Sequence, residues 1–396
     1  MTGVLMARAP ATVLVDASAL RTEHRVRGIG RYVRDMLMGL AATRERWRGE
    51  LRILALNDLS AEAKAASEDL AAVAEEALAL PLQNRATLAR ARRRALQRAA
   101  LGIGAGLVHE TEVLGVPALA AVPRMATCYD LIPLRYPKHY LPNARAVAME
   151  WLRAWHRYSR ARRVVAISAR TREEVCQMLR IPADRVDAVP TGIDVAAWTR
   201  ASQAMTGADV RARFGLDLPF FLYVGGADYR KNPRGMFRAV RIASTRAPLT
   251  FAWAGALDDN TLGSVRKLAH DEGVGRLVRF LGYVDDESLA CLYREALAQL
   301  FLSRLEGFGL PVAEAMACGC PSIVARSSGC DDLVGDAGIV VDADDAEAAA
   351  SAMLELREAP KRRALAARST ERVAGMTREA MALGYVDAYL RSIRSG

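Results

Sequence analysis

The sequence predicts an α/β protein of two doubly wound, parallel-sheet domains facing a central cleft. Three observations carry this. Short β-branched or aliphatic runs alternate with longer stretches of helical period along the chain. The alternation breaks near Pro190-Thr191-Gly192 and resumes as a second series. A length of 396 residues, 52% of them hydrophobic, is enough for two cores.

In the first series, strands are expected at Thr12–Val15, Leu51–Leu56, Gly106–His109, Arg124–Tyr129, Val164–Ile167 and Val186–Val189. Helices are expected at Arg31–Leu40, in the Ala/Glu-rich run from Ser60, and at Ala144–Arg160 and Thr171–Leu179. The second series places strands at Phe220–Val224, Leu249–Ala254, Leu277–Leu281, Leu297–Leu302 and Pro321–Ala325, after an irregular connection over 190–217. The domains are therefore set at 1–190 and 191–375, with 376–396 as a C-terminal helix that could pack back on the first. Strands buried on both faces read as continuous apolar runs, and ligands of such sheets bind in loops after the strands.

Composition excludes several classes. The six cysteines form no Cys-x-x-Cys pair and the five histidines lie far apart, so structural zinc and a disulfide framework are not expected. No apolar run approaches the roughly 18 residues of a membrane span, and the N-terminus lacks a secretory pattern, so a cytoplasmic location is expected. The formal charge of +10 is uneven: residues 1–190 hold 30 Lys+Arg against 19 Asp+Glu, and residues 191–396 hold 25 against 26. The first half thus fits an anionic partner: nucleic acid, an acidic membrane surface or a phosphorylated substrate. Nucleic acid is disfavoured, since no interleaved aromatic stacking motif appears. The Arg85–Arg98 run, with Leu88, Ala95, Leu96 and Ala99, reads either as an interfacial helix or as the solvated basic face of a packed one.

The sharpest motif is Glu306-Gly307-Phe308-Gly309-Leu310-Pro311-Val312-Ala313-Glu314. Pro311 suits the first helical turn, Gly319 a left-handed cap and Pro321 a stop, which predicts a short helix over about 310–318. Strand, glycine loop and helix N-terminus make an anion site, with amides around Phe308 and Gly309 aimed at a diphosphate or sugar hydroxyls. A carboxylate beside a diphosphate repels it, so Glu306 and Glu314 are expected to accept hydrogen bonds from hydroxyls, one on a sugar and the other on a ribose. A second strand-turn-helix run, Tyr223-Val224-Gly225-Gly226 to Tyr229-Arg230-Lys231-Asn232-Pro233, sets two adjacent cations to neutralise phosphate. A third, Val26-Arg27-Gly28-Ile29-Gly30-Arg31-Tyr32, reads as a glycine loop, but Val33 breaks the dinucleotide pattern and no Walker A lysine occurs. Asp342-Ala343-Asp344 resembles an acidic metal pair, yet sits among other acidic residues, and no metal site is assigned.

With these motifs the chain resembles a retaining glycosyltransferase of family 4 with the GT-B architecture, two Rossmann-like domains. Glu306 and Glu314 meet the family's Glu-x7-Glu signature, Gly225 to Asn232 its Gly-Gly-x-x-x-Arg-Lys-Asn segment, and Val189 to Asp194 its Val-Pro-x-Gly-x-Asp linker. The resemblance implies that Lys231 binds the diphosphate of a nucleoside-diphosphate sugar, Glu314 its ribose, and that Glu306 faces the sugar. It extends the nucleotide-sugar site to Gly28, Gly30, Gly225, Gly226, Arg230, Gly307, Phe308, Gly309 and Leu310. Neither metal nor cofactor is expected. Asp130 and His109 are further candidates for positioning acceptor or donor sugar.

Two departures stand out. Tyr129 occupies a position where many relatives carry His, and Gly225 stands where many have an arginine, leaving Arg230 as the second phosphate cation. The Gly-Ile-Gly-Arg-Tyr and Tyr-Asp-Leu-Ile-Pro segments are similar to bacterial mannosyltransferases of surface-polysaccharide assembly. That similarity implies GDP-mannose, a lipid-linked glycan acceptor and peripheral association with the inner face of the cytoplasmic membrane. Other donors such as UDP-glucose, a non-catalytic sugar-nucleotide-binding subunit, and a phosphorylase or epimerase are the alternatives.

Overall fold

Strand-forming runs rich in Val, Ile, Leu and Phe become twelve short strands among the described residues, and every ladder between named strands is parallel. The computed structural model describes residues 9–22, 28–57, 66–79, 85–112 and 122–394. The chain divides into two compact units, one of residues 1–192 with 377–396 and the other of residues 193–376.

The first unit holds β1 (Ala11–Asp16), β2 (Leu51–Leu56), β3 (Leu107–Glu110), β4 (Arg124–Cys128), β5 (Arg163–Ala166) and β6 (Val186–Ala188), in sheet order β2-β1-β3-β4-β5-β6. Its helices are α1 (Gly28–Ala42), α2 (Leu70–Ala79), α3 (Arg85–Gly102), α4 (Ile132–Arg135), α5 (Pro137–Tyr140), α6 (Ala144–Ser159) and α7 (Ala169–Leu179). The strand order reverses between β1 and β3, which makes their carboxyl ends this sheet's switch point.

The second unit opens with α8 (Val195–Ala201) and α9 (Gly207–Phe214). Its strands β7 (Phe220–Val224), β8 (Thr250–Ala254), β9 (Val278–Gly282), β10 (Gln299–Phe301), β11 (Ser322–Ala325) and β12 (Ile339–Val341) run in the order β12-β11-β10-β7-β8-β9. Between and after them lie α10 (Pro233–Ser244), α11 (Asp259–Asp271), α12 (Asp286–Glu295), α13 (Leu310–Ala317), α14 (Cys330–Val334), α15 (Ala346–Glu355) and α16 (Ala359–Val373). Here the switch point falls between β7 and β10.

The final helix, α17 (Arg378–Arg394), belongs to the first unit and is held there by a buried polar chain. The Tyr385 hydroxyl lies 2.7 Å from that of Tyr32 on α1 and 2.9 Å from Thr127 Oγ1 on β4, while the Tyr389 hydroxyl lies 2.8 Å from His109 Nδ1. Arg378 adds an ion pair to Asp35 of α1 at 2.7 Å.

Three sequence expectations need correction. The irregular connection over 190–217 contains α8 and α9, capped by the side chains of Asp194 and Thr206 and stopped by left-handed Gly215; these are ordinary start and stop signals on helices too short to show a period. The strand β12 is only three residues long and ends immediately before the acidic run at 342–344. Gly28 and Gly30 lie in the first turn of α1 rather than in a loop, and Val26 and Arg27 fall outside the described residues. The interfacial reading of Arg85–Arg98 fails from Arg92 onward: Ala95, Leu96 and Ala99 pack with Leu14, Leu54 and Val108, and Arg92 is buried in an ion pair with Asp16 at 2.6 Å. Arg94 and Arg98 are exposed, so this part of α3 is a packed helix with a solvated basic face. The Ala/Glu-rich run forms α2 from Leu70, and Ser60 lies outside the described residues.

Candidate functional site

The second unit's switch point gathers the expected charged residues. Neighbouring parallel strands place their following loops side by side, so the turn after β7 and the loop after β10 meet. Lys231 Nζ donates to Glu306 Oε1 at 2.8 Å, and Arg230 Nη1 pairs with Glu306 Oε2. The two loops are also joined through backbone, Arg304 N to Arg230 O at 2.6 Å, and the Glu306 amide donates to Ser328 O at 2.8 Å after β11.

Burial alone would push the Glu306 carboxyl up, but the charges of Lys231 and Arg230 and their hydrogen bonds hold it down to about 2. Lys231 is 7% exposed, its ammonium 5.0 Å from the centre of the Phe301 ring, and Arg230 also reaches Asp228 at 3.4 Å. Without ligand, both Glu306 oxygens are thus engaged by the two cations. Two cations thus meet the buried Glu306 and the more exposed Asp228, and an anionic ligand can replace a carboxylate as the cations' partner.

Glycine is required beside this centre. Gly309 caps α13 with φ of 95°, and a Cβ there would lie 2.5 Å from Cys330 Sγ. Pro311 supplies the preset φ of the opening turn of α13 and carries no N–H, while the Val312 and Ala313 amides donate to Gly309 O at 2.8 and 3.2 Å, which leaves the Leu310 N–H as the opening amide without an acceptor in the helix. Glu314 is buried at the fifth position of the same helix, and Phe308 is buried while Gly307 and Leu310 are half-buried. At Gly225, φ is 150° and a Cβ would meet the Tyr223 hydroxyl at 2.8 Å and Lys231 Nζ at 3.7 Å. Tyr223, donating to Gly226 O at 2.7 Å, thus takes the space that a side chain at 225 needs.

Two residues outside the expected set brace these loops. Asn232 is left-handed (φ 56°), caps α10 through Gly235 N, and donates to Ala343 O at 2.6 Å. Arg304 donates to Asn232 Oδ1 at 3.2 Å and pairs with Asp344 at 2.6 Å through both terminal nitrogens. Asp344 of the acidic run at 342–344 is thereby occupied in holding Arg304. Asn before Pro is a cap signal that reading the cations alone passes over.

In the first unit, His109 is corrected from site candidate to structural residue. It is fully buried, with Nδ1 on Tyr389 and Nε2 on Thr127 Oγ1 at 2.8 Å, and burial lowers its pKa to about 3. Tyr129 is buried as well: its hydroxyl donates to Thr111 O at 2.7 Å and its ring stands edge-on to Tyr32 at 5.3 Å. Asp130 is half-buried, its Oδ1 accepting from Ile132 N at 3.0 Å at the start of α4. Gly28 is exposed and Gly30 buried in α1. His109, Asp130 and the α1 glycines belong to the first unit, and the other candidates to the second.

Comparison with known proteins agrees with this division. Residues 26–197 match the model of Glycosyltransferase Family 4, and residues 209–372 match that of Glycosyl transferases group 1. The chain is 30% identical over 237 residues to O-antigen chain mannosyltransferase B of Escherichia coli, covering 58% of this chain and 60% of that protein. It is 32% identical over 244 residues to D-inositol 3-phosphate glycosyltransferase of Frankia alni, covering 58% and 59%. The match spans less than two thirds of the length of these curated relatives. Among solved structures it is similar to sucrose-phosphate synthase of Thermosynechococcus elongatus, with a TM-score of 0.73 at 21% identity over 98% of this chain and 100% of that one. It is also similar to Anabaena HepE in complex with UDP-glucose, with a TM-score of 0.70 at 15% identity over 96% and 99%. The structural likenesses bear on the fold, and the two glycosyltransferase models, which leave only residues 198–208 between them, together match most of both units: the chain belongs to the family-4-like glycosyltransferases of the GT-B fold.

Proposed function

We propose that the chain transfers a hexose from a nucleoside-diphosphate sugar to a hydroxyl of a glycan acceptor, with retention at the anomeric carbon. The observation that carries this is the cluster of buried Lys231 and Glu306 with half-buried Arg230 at the β7/β10 switch point, beside the glycine-capped start of α13. A diphosphate drawing Lys231 and Arg230 to itself frees the Glu306 oxygens for sugar hydroxyls. Glu314, on the helix the diphosphate caps, takes the ribose. In the transfer step the bond from the anomeric carbon to the phosphate oxygen breaks with its electron pair going to the phosphate. The acceptor hydroxyl forms the new bond on the same face, and its proton passes to a phosphate oxygen. The two cations, with the positive N-terminal end of α13, stabilise the leaving charge, which a divalent metal would otherwise do, and the reaction is proposed to need none.

Mannose from GDP-mannose, passed to a lipid-linked glycan of surface-polysaccharide synthesis, is the proposed specific reaction. Its support is the similarity to the mannosyltransferases of Escherichia coli. Asp130, at the end of the β4 loop, is the proposed acceptor-side residue. Thermal stabilisation by GDP, UDP, ADP and dTDP, without metal, tests the reading on wild type and Lys231→Ala, because a ligand of the folded state must raise its stability. The expected result is a shift with GDP that the variant loses. A shift with UDP instead reassigns the base, and no shift with any nucleotide removes the reading. Transfer to acceptor, as against donor binding alone, separates an enzyme from a binding subunit.

A further inference from the structure

Among the described residues, the first unit carries an apolar surface that lies outside its core. Eight large hydrophobic side chains are exposed among the described residues, and four of them lie on α6: Met149 at 42%, Trp151 at 41%, Leu152 at 49% and Trp155 at 39%. Trp151 and Trp155 stack with ring centres 6.2 Å apart and planes within 7°. At 100° per residue, Ala148, Trp151, Leu152 and Trp155 fall within an arc of about 100° of the helix surface. The helix is nonetheless firmly placed. Asn143 caps it through Ala146 N, and Tyr158, its one buried residue, packs with Cys128, Leu131 and Val164.

The charge along this stretch of chain is predominantly positive. Residues 132–162 contain Arg135, Lys138, Arg145, Arg153, Arg157, Arg160 and Arg162 against the single acid Glu150, which Arg153 holds at 3.6 Å. Arg145 and Arg160 are exposed on the flank of the stripe. Tryptophan combines an apolar body with an N–H that needs a polar partner, and so favours the boundary between hydrocarbon and water.

We propose that α6 is a membrane-docking helix that lies in the interface of an anionic bilayer, with Trp151, Leu152 and Trp155 in the acyl boundary and Arg145 and Arg160 on lipid phosphates. A second copy of the chain fits less well, because a two-fold contact would set this cationic surface against itself. The proposal rests on the glycosyltransferase reading only for its purpose. Helix α6 is part of the excursion that follows β4 and Asp130, so docking would bring the proposed acceptor-side loop to a lipid-linked glycan.

The test is flotation of the full chain with vesicles of phosphatidylcholine containing about 40% phosphatidylglycerol, against phosphatidylcholine alone. Wild type should float with the anionic vesicles only, with a blue shift of tryptophan emission that brominated lipid quenches. Trp151→Ser/Trp155→Ser should lower partitioning at least about tenfold. Arg145→Gln/Arg160→Gln should lower it by a similar factor at low salt, with the difference from wild type shrinking as salt is added. Both variants lie outside the candidate site, and an unchanged melting temperature and nucleotide response would show them folded. Failure of wild type to bind anionic vesicles overturns the proposal, as does full binding by the double tryptophan variant. Loss of a dimer in sedimentation with vesicle binding unaltered assigns the surface to a second copy instead. Vesicle binding needs no sugar donor, so a missing nucleotide response condemns the functional reading alone.

Discussion

Lys231 Nζ and Glu306 Oε1 lie 2.8 Å apart, although 75 residues separate them, because β7 and β10 are neighbours in the sheet. Each side chain is less than a tenth exposed, so the pair meets where water does little to weaken it. A carboxylate thus occupies the cations that the proposed ligand needs, and binding must exchange one partner for the other.

Glu306→Gln tests that exchange. The amide no longer competes for Lys231 and Arg230, so nucleoside-diphosphate affinity should rise several-fold, about three to ten times, while hexosyl transfer falls about a hundredfold. Calorimetric titration with GDP and a transfer assay give the two readouts. Weaker GDP binding in the variant would sink the competition argument.

Arg230→Ala and Lys231→Ala should each weaken nucleoside-diphosphate binding, by about tenfold and about a hundredfold respectively, since Arg230 is partly exposed and shared with Asp228. Unchanged affinity in Arg230→Ala would remove it from the phosphate site. Chelation of divalent metals should leave wild-type transfer unaltered, as measured before and after EDTA.

The pH dependence of stability should show two separate signatures. The Glu306 carboxyl is held at about 2 in the folded chain, below its ordinary 4.5, so its contribution is complete above about pH 4.5 and lost as the pH falls towards 2. Denaturant midpoints of wild type and Glu306→Gln should therefore converge over that window. His109 is kept neutral, with its pKa lowered from 6.5 to about 3. The unfolded chain takes up its proton first, so stability falls with pH below about 6.5 at up to about 1.4 kcal/mol per unit. His109→Gln should flatten that slope above pH 4.5, and an unaltered slope would contradict the buried neutral ring.

Gly309→Ala should cost about 1–2 kcal/mol for its left-handed backbone alone, with a further loss from the contact with Cys330 Sγ. Adding Cys330→Ala should recover only the second part, which a double-mutant cycle on thermal or urea unfolding reads directly. Full recovery would mean that the backbone at 309 is unstrained.

Much of this site is legible in the chain because its signals are local. Gly309, Pro311 and Gly319 mark α13 to within a residue, and the runs at 220–224 and 322–325 are apolar because parallel strands are buried on both faces. The short helices α8 and α9 lack enough residues to show a period, and only their caps announce them. His109 looked like a site residue for a related reason. Sequence records that an imidazole is present, but whether its nitrogens meet solvent or Thr127 and Tyr389 depends on α17 returning from 280 residues away.

The sequence by itself determined the fold class, the helix and strand boundaries near glycine and proline, the charge asymmetry, and the residue types that can meet a diphosphate. These follow from backbone sterics, apolar periodicity and ionisation, which act over a few residues. Only the tertiary structure decided that Glu306 is bound to both Lys231 and Arg230, that Arg92 is buried against Asp16, and that the stacked tryptophans of α6 stay outside the core. Pairing and burial depend on which strands become neighbours and which faces are covered, and those contacts join residues the chain keeps far apart.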